Sequence, residues 1–207
     1  MNIPTEEQCL KFHKEYLMLD GVSRHSLKVR NLAVFIAKKL NEQNFNFNLQ
    51  LIESAALLHD ITKTHQVVIE AFEQNNIDYT LNINNSSIKD LIKIKKQWGA
   101  IKEKFQLTSL HHPISGAGLV RALGFEEVAS IIEQHGKPIT KINEAGIICY
   151  ADRKVNGEIV VSLEERFDYM EERYGKGIVD ELKESTLELE QKIFKAAGIA
   201  ESDLLFV

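Results

Sequence analysis

The hydrophobic positions of the chain recur mostly at the three- and four-residue spacing of α-helices. The first clear helix is predicted over residues 23–41, and we expect Ser23 to cap it. Its apolar face consists of Val29, Leu32, Ala33, Ile36 and Leu40. Further helices are predicted over about 51–59, 113–124, 126–135, 143–155, 163–174 and 178–197. The pattern predicts an all-α fold.

Residues 66–110 interrupt this succession, and we interpret them as an insertion or a lid. They contain an asparagine-rich stretch, 75–87, followed by a predicted helix with Trp98 and six lysines: Lys89, Lys93, Lys95, Lys96, Lys102 and Lys104. Such a run is typical of a solvated helix face, and the alternative is a lid that attracts an anionic substrate. We interpret Trp98 as a packing residue rather than a platform for a nucleic-acid base.

Composition narrows the class of protein. The chain has 207 residues, of which 44% are hydrophobic and 27% charged, as in one globular domain with or without an appendage. The net charge of −5 and the pI near 5.8 provide no general basic field, so long nucleic acid is not an expected partner. The two cysteines, the absence of a long apolar run and the lack of a signal-peptide pattern predict a cytoplasmic protein without a membrane partner.

Several ionisable side chains fall on the apolar faces of the predicted helices. His25 shares the face of Val29, and His59, His135 and Asp152 follow apolar residues of their own helices by three or four positions. Burying an unpaired carboxylate or imidazole costs several kcal/mol, so such groups are normally paired or bind a metal. One inward histidine is more typical of a hydrogen-bonded core residue. Inward groups on four separate helices favour a shared metal site.

The adjacent pair His59 and Asp60 is central to this pattern. Neighbouring residues at a helix end can reach one ion, and nitrogen and oxygen donors without thiolate suit Fe, Mn, Co, Ni or Zn. His112, directly before Pro113 at the start of a predicted helix, is a further candidate. His111 is the alternative to His112.

Five segments resemble the HD superfamily of metal-dependent phosphohydrolases: SRHSLKVRNLAVFIAKKL, AALLHDITK, HHPISGAGLVRAL, IIEQHG and IICYADR. They occur in the family's order and cover most of residues 22–155. The resemblance implies a helical HD-domain bundle and a metal set of His25, His59, Asp60 and Asp152. It also implies that His112 and His135, sharing Asp60, hold a second ion, as in relatives that cleave cyclic dinucleotides or diadenosine tetraphosphate. One or two divalent ions are expected, and Fe, Mn, Ni, Co, Zn and Mg all remain open.

The chain departs from the familiar motifs at three places. Thr62 replaces the glycine of the common HDIGK motif, and Gly136 follows His135 where the diadenosine tetraphosphate hydrolases have threonine. The GYP motif is absent, which argues against cyclic di-GMP as the substrate. The insertion is also longer than expected in those relatives.

The implied activity is hydrolysis of a phosphoester or phosphoanhydride in a small nucleotide-like substrate by a metal-activated hydroxide. Asp60 and Lys63 are the expected catalytic residues, and Lys63 resembles the lysine of the HDIGK motif. Lys63, Arg24 and Arg153 are candidate phosphate-binding residues. For Lys63 the alternative is a solvated lysine, and for the two arginines it is a surface salt bridge.

We expect a single HD domain over residues 1–207, with a core at about 20–156, the insertion or lid at 66–110 and a helical extension at 157–207. The charged helices of the extension could form a homodimer or partner interface. That possibility motivates a second hypothesis, a non-catalytic regulatory module that binds metal and nucleotide. A third and weaker hypothesis, by analogy of fold alone, is a diiron oxygenase.

Overall fold

The computed structural model describes residues 2–73 and 87–207, apart from the side chains of residues 173, 174, 176 and 178. The elements are α1 (Glu6–Glu15), α2 (Asp20–Glu42), α3 (Leu49–Leu58), α4 (Lys63–Glu73), α5 (Ile88–Lys104), α6 (His112–Ala122), α7 (Glu126–Ile132), α8 (Glu144–Arg153), β1 (Val155–Asn156), β2 (Ile159–Val160), α9 (Leu163–Tyr174), α10 (Lys176–Ala197) and α11 (Glu201–Leu204). The all-α prediction is confirmed. The two-residue strands, which the pattern did not predict, form one antiparallel hairpin.

Polar side chains define where several helices begin. Each accepts a hydrogen bond from the free backbone N–H groups of the first turn, and the residues that do so are Thr5, Asn48, Ser87, Asn143 and Ser162. The prediction that Ser23 caps a helix is wrong, because α2 begins one turn earlier at Asp20. The hydroxyl of Ser23 lies instead 2.8 Å from Nδ1 of His13.

Two of the predicted helix ends that are too late bear on the site. The helix predicted over 126–135 ends at Ile132, so His135 lies in the following turn, where Gly136 adopts a positive φ of 83°. The helix predicted to reach 155 ends at Arg153, because Val155 pairs with Val160 in the hairpin. Asp152 therefore lies in the last turn of α8, immediately before the hairpin.

Helix α2 lies at the centre of the bundle and packs against α3 and α8. Leu32, Ile36, Ile52, Leu58 and Tyr150 are completely buried in one continuous core. The extension belongs to the same core, because α10 packs against both α2 and α8. Tyr150 donates a hydrogen bond to Glu190 of α10, and the fully buried Lys154 forms an ion pair with Glu201.

Helices α4 and α5, from the predicted insertion, pack against each other. Trp98 is completely buried and stacks on His65 with ring centroids 5.2 Å apart, which confirms its interpretation as a packing residue. The asparagine-rich stretch 75–87 lies outside the described residues except for Ser87. The role of 66–110 as an insertion or lid stays a prediction. Across 2–73 and 87–207, no helix combines the length and apolar character needed to cross a membrane.

Candidate metal centre

All six side chains predicted as metal ligands converge at the middle of the bundle. His25 comes from α2, His59 and Asp60 directly follow α3, and His112 is the first residue of α6. The turn after α7 contributes His135, and the last turn of α8 contributes Asp152. Five regions of the chain therefore meet at one point.

Asp60 and Asp152 are the centre of the cluster. Oδ1 of Asp60 lies 3.2 Å from Nε2 of His112 and 3.8 Å from Nε2 of His135. Oδ1 of Asp152 lies 2.8 Å from Nε2 of His25 and 3.6 Å from Nε2 of His59. Oδ2 of Asp60 lies 3.5 Å from Nε2 of His59, so the two carboxylates share that imidazole.

These contacts divide into three overlapping triads whose donor atoms lie within 4.8 Å of one another: His25, His59 and Asp60; His59, His135 and Asp152; Asp60, His112 and His135. The overlap is important because a carboxylate has two oxygens and can serve two neighbouring ions. Asp60 belongs to both the first and the third triad. The arrangement has donors for one cation or for two.

Several buried polar atoms of the cluster would be stabilised by a cation between them. His59 and Asp60 are completely buried, yet Nε2 of His59, Oδ1 of Asp60 and Nε2 of His112 have no hydrogen-bond partner within the described residues. An unsatisfied buried polar atom of this kind costs about 1–3 kcal/mol, and more where the group is charged. A divalent cation bound by nitrogen and oxygen donors would satisfy all three atoms at once.

Three of the histidines are oriented for metal binding by hydrogen bonds to their other ring nitrogen. Nδ1 of His25 donates to the carbonyl oxygen of Gly157 at 3.1 Å, and Nδ1 of His59 donates to that of Ala56 at 2.7 Å. Nδ1 of His112 donates to Oε1 of Gln66 at 2.8 Å. Because each acceptor oxygen carries no proton, each Nδ1 must carry one. In the neutral rings of His59 and His112 the lone pair is then on Nε2, which faces the cluster, whereas Nε2 of His25 lies against Oδ1 of Asp152.

Both carboxylates stay ionised in spite of their burial. Burial alone would raise the pKa of Asp60, but Lys63, His59 and the adjacent His112 outweigh it and hold the pKa well below its ordinary range. Burial likewise acts to raise the pKa of Asp152. The imidazoles of His25 and His59 prevail and hold this pKa well below its ordinary range as well. The centre therefore presents two negative charges at neutral pH.

The histidines at the centre respond to burial and to these carboxylates in opposite ways. Burial lowers the pKa of His135 well below its ordinary value, and the neighbouring His59 adds to this effect, so the His135 ring is neutral at pH 7. Burial acts on His59 in the same direction, but Asp60 and Asp152 outweigh it and raise the pKa of that ring. The space around Nε2 of His59 thus favours a positive charge.

The structure distinguishes between the two adjacent histidines at the start of α6. Only His112 has a ring nitrogen in one of the three triads formed by the described residues. His111 occupies the capping position before the helix and its side chain is exposed. His112 is therefore the one of the two histidines that the fold brings to the cluster.

Lys63 lies at the solvent side of the cluster. Its Nζ atom donates to Oδ2 of Asp60 at 2.6 Å, and its side chain is 30% exposed while that of Asp60 is completely buried. The ammonium group therefore lies between the buried central carboxylate and the protein surface.

The two candidate arginines have other partners. Arg24 forms surface ion pairs with Asp20 and Glu158, which matches the salt-bridge alternative. Arg153 is buried, and its guanidinium donates to Oγ1 of Thr186 and to the carbonyl oxygen of Lys137, each at 2.8 Å. Arg153 thereby ties α8, which carries Asp152, to α10 and to the segment after His135.

The two cysteines and the lysines of α5 lie outside the three triads. Burial raises the pKa of the Cys9 thiol to about 12 and that of the Cys149 thiol to about 11, so neither supplies a thiolate at neutral pH. Five of the six lysines of the 89–104 run are exposed, and Lys102 is half-buried. This distribution agrees with a solvated helix face.

Sequence reasoning missed three residues that shape the site. Thr62 donates through Oγ1 to the carbonyl oxygen of His112 at 2.9 Å, Gln66 accepts from the His112 ring, and Gly157 accepts from His25. The sequence marks Thr62 only as a departure from the HDIGK motif. The other two partnerships join residues 46 and 132 positions apart, and local spacing gives no signal for them.

The fold and the cluster together define an α-helical protein with a buried histidine and aspartate centre suited to divalent metal. The HD domain family matches residues 22–157, which is more than half of the chain. The chain therefore belongs to the HD domain family, the superfamily of metal-dependent phosphohydrolases, as its motifs indicate. Neither a curated protein nor a solved structure matches the chain significantly.

Proposed function

We propose that this protein hydrolyses a phosphoester or phosphoanhydride of a small, nucleotide-like substrate with the help of divalent metal. The observation that carries the proposal is the convergence of five buried donor residues and the half-buried His112, two of the six being ionised carboxylates, with three donor atoms that have no partner in the described residues. Membership of the HD domain family supports the same chemistry.

The donors divide naturally between two ions. His25, His59, Asp60 and Asp152 would hold the first, and His112 and His135 would hold the second, with Asp60 shared between them. Divalent cations held in this way lower the pKa of a coordinated water and offset the charge that develops on a transferring phosphoryl group. The donor chemistry is compatible with Fe, Mn, Ni, Co, Zn and Mg.

The protein's own residues supply the remaining parts. Asp60 and Asp152 stay ionised, so they compensate the positive charge of the metal and keep it in place. Lys63 is held by Asp60 at the exposed side of the centre. Its ammonium carries three donors and can bind a phosphate oxygen while it keeps one hydrogen bond to the carboxylate. Asp60 and Lys63 are therefore the proposed catalytic residues, with Lys63 also binding substrate.

Arg24 and Arg153 fit a phosphate-binding role less well than Lys63. Both guanidinium groups are engaged by residues outside the cluster, and that of Arg153 is buried. In the proposal they are structural residues, and Lys63 is the principal cation for the substrate.

Metal content is the first test. The protein should be purified anaerobically, without exposure to an affinity-resin metal, and its metal measured by mass spectrometry. About two equivalents per chain support the full six-residue centre. One equivalent limits the centre to His25, His59, Asp60 and Asp152, and none after reconstitution overturns the proposal.

Turnover is the second test, with a panel of nucleoside phosphates, dinucleotides and a chromogenic phosphodiester. Asp60→Asn should abolish metal-dependent hydrolysis while leaving the far-ultraviolet circular dichroism unchanged. Asp168→Asn, which removes an exposed carboxylate of α9, is the matched control and should keep full activity. Tight nucleotide binding without turnover of any compound would favour the regulatory-module hypothesis. Oxygen consumption by the reduced iron form would favour the oxygenase.

A further inference from the structure

Hydrogen bonds fix both the ring and the backbone of His112. Oε1 of Gln66 accepts two hydrogen bonds from it, one from ring Nδ1 at 2.8 Å and one from the backbone N–H at 3.0 Å. Oγ1 of Thr62 donates to its carbonyl oxygen at 2.9 Å. The ring and both polar backbone groups of His112 are thus fixed by residues that follow Asp60 by two and six positions.

The contact with Gln66 determines which ring nitrogen of His112 carries the proton. An amide oxygen only accepts, so Nδ1 must be the protonated nitrogen. The Nε2 lone pair then points to the centre, 3.2 Å from Oδ1 of Asp60 and without a hydrogen-bond partner among the described residues. A ring with its proton on Nε2 could not bind a cation there.

Glu70 determines which end of the Gln66 amide meets His112. Nε2 of Gln66 donates to Oε1 of Glu70 at 2.7 Å, one turn further along α4. Because a carboxylate accepts hydrogen bonds and does not donate them, the NH₂ group must face Glu70 and the oxygen must face His112. Glu70, Gln66 and His112 form a directed chain of hydrogen bonds that ends at the cluster.

We propose that Gln66, oriented by Glu70, is a positioning residue that sets the affinity of the second cation site, formed by Asp60, His112 and His135. The inference rests on the proposed function only in requiring that the cluster binds metal. Glu70 belongs to none of the three triads, and the Gln66 amide is engaged by His112 on one side and by Glu70 on the other, so the effect of both residues is exerted through His112. The first site, with His25, His59, Asp60 and Asp152, does not depend on the hydrogen bonds that link Glu70, Gln66 and His112.

The test is a titration of metal-free protein with Co²⁺, followed by calorimetry and by the visible spectrum of the bound ion. In Gln66→Leu, the second ion should bind about 10–100-fold more weakly while the first binds as in wild type. In the double variant Gln66→Glu/Glu70→Gln, the carboxylate at position 66 can accept the hydrogen bond from His112. The amide at position 70 can donate to that carboxylate. This double variant should restore binding of the second ion. Gln97→Leu, an exposed glutamine of α5, is the control and should match wild type.

A second readout does not involve metal. The ring ¹⁵N chemical shifts of His112 in metal-free wild type at pH 8 should show the proton on Nδ1. Gln66→Leu should move protonation toward Nε2, and the double variant should reverse this. If Gln66→Leu does not fold, Glu70→Met removes the acceptor that orients the amide and should weaken the second ion in the same direction.

The outcomes separate the two proposals. Two ions with unchanged affinities in Gln66→Leu would overturn the role of Gln66, and so would a wild-type protein that binds only one ion or none. Wild type that binds two ions, responds to Gln66→Leu and hydrolyses no phosphoester would leave the role of Gln66 intact. That result would instead count against the phosphohydrolase function.

Discussion

Nε2 of His25 lies 2.8 Å from Oδ1 of Asp152, although 127 residues separate the two positions in the chain. The contact joins the first turns of α2 to the last turn of α8. Nδ1 of His25 also donates to Gly157, in the hairpin that directly follows α8. The two ends of the family-matched region therefore meet at the candidate metal centre, and its donor set is complete only when the whole bundle has formed.

Thr62 should stabilise the start of α6. Its hydroxyl is buried, donates to the carbonyl oxygen of His112 and lies 2.9 Å from Oγ of Ser115. Thr62→Val keeps the shape of the side chain and removes the hydroxyl, which should lower the free energy of unfolding by about 1–3 kcal/mol. Urea unfolding measures this, with the exposed Thr108→Val as control. A loss equal to that of the control would show that the hydroxyl contributes nothing.

Arg153 and Arg24 should differ sharply when substituted. Arg153→Leu removes two hydrogen bonds of a buried guanidinium and should cost about 3 kcal/mol of stability. Arg24→Gln removes exposed ion pairs and should cost less than about 1 kcal/mol. Chemical denaturation of both variants tests this. A large rise in KM with unchanged stability for either one would restore that arginine as a phosphate ligand.

Lys63 should affect catalysis more than folding. Lys63→Met removes the ammonium that holds Asp60 from the open side, and kcat/KM should fall by about 100-fold, as when a catalytic hydrogen-bond donor is lost. Lys63→Arg should keep part of the activity. Steady-state kinetics on the substrate found in the panel gives the comparison. Lys96→Met, an exposed lysine of α5, should leave kcat/KM at the wild-type value, and an equal loss there would point to the charged face of α5 instead.

His65 should make the protein less stable in mild acid. Burial lowers its folded-state pKa, with Lys102 adding to the effect, so on acidification the unfolded chain takes up this proton first. Above the unfolded-state pKa of about 6.5, this histidine does not reduce the free energy of unfolding. At lower pH, the free energy of unfolding decreases by at most about 1.4 kcal/mol per pH unit for this one proton.

The contribution of this proton is measured by comparing wild type with His65→Phe, which cannot titrate at this position and retains an aromatic ring against Trp98. Urea unfolding in the presence of a chelator at pH 7.5 and 5.5 should give a smaller difference for this variant than for wild type. Gln97→Leu, next to Trp98 and without a titratable group, should retain the wild-type difference. Equal differences in all three proteins would mean that His65 does not titrate as expected.

Much of the site could be predicted because its residues lie on strongly periodic helices. A polar side chain three or four positions from a buried aliphatic residue is carried inward with it, as His25 shows beside Val29 and Asp152 beside Ile148. The positions of helix ends were less predictable. Ser23 did not begin a helix, and His135 lies beyond one, because caps and turns depend on tertiary partners as much as on local sequence.

The sequence by itself determined the helical class, the inward placement of His25, His59, His135 and Asp152, and membership of the HD domain family, since these depend on local periodicity and motif. Only the tertiary structure decided that His112 rather than His111 reaches the centre and that Arg153 is occupied elsewhere. It alone also decided that Gln66 and Thr62 hold His112 in place. These outcomes depend on hydrogen bonds between residues far apart in the chain, which form only where packing brings a donor within about 3 Å of its acceptor.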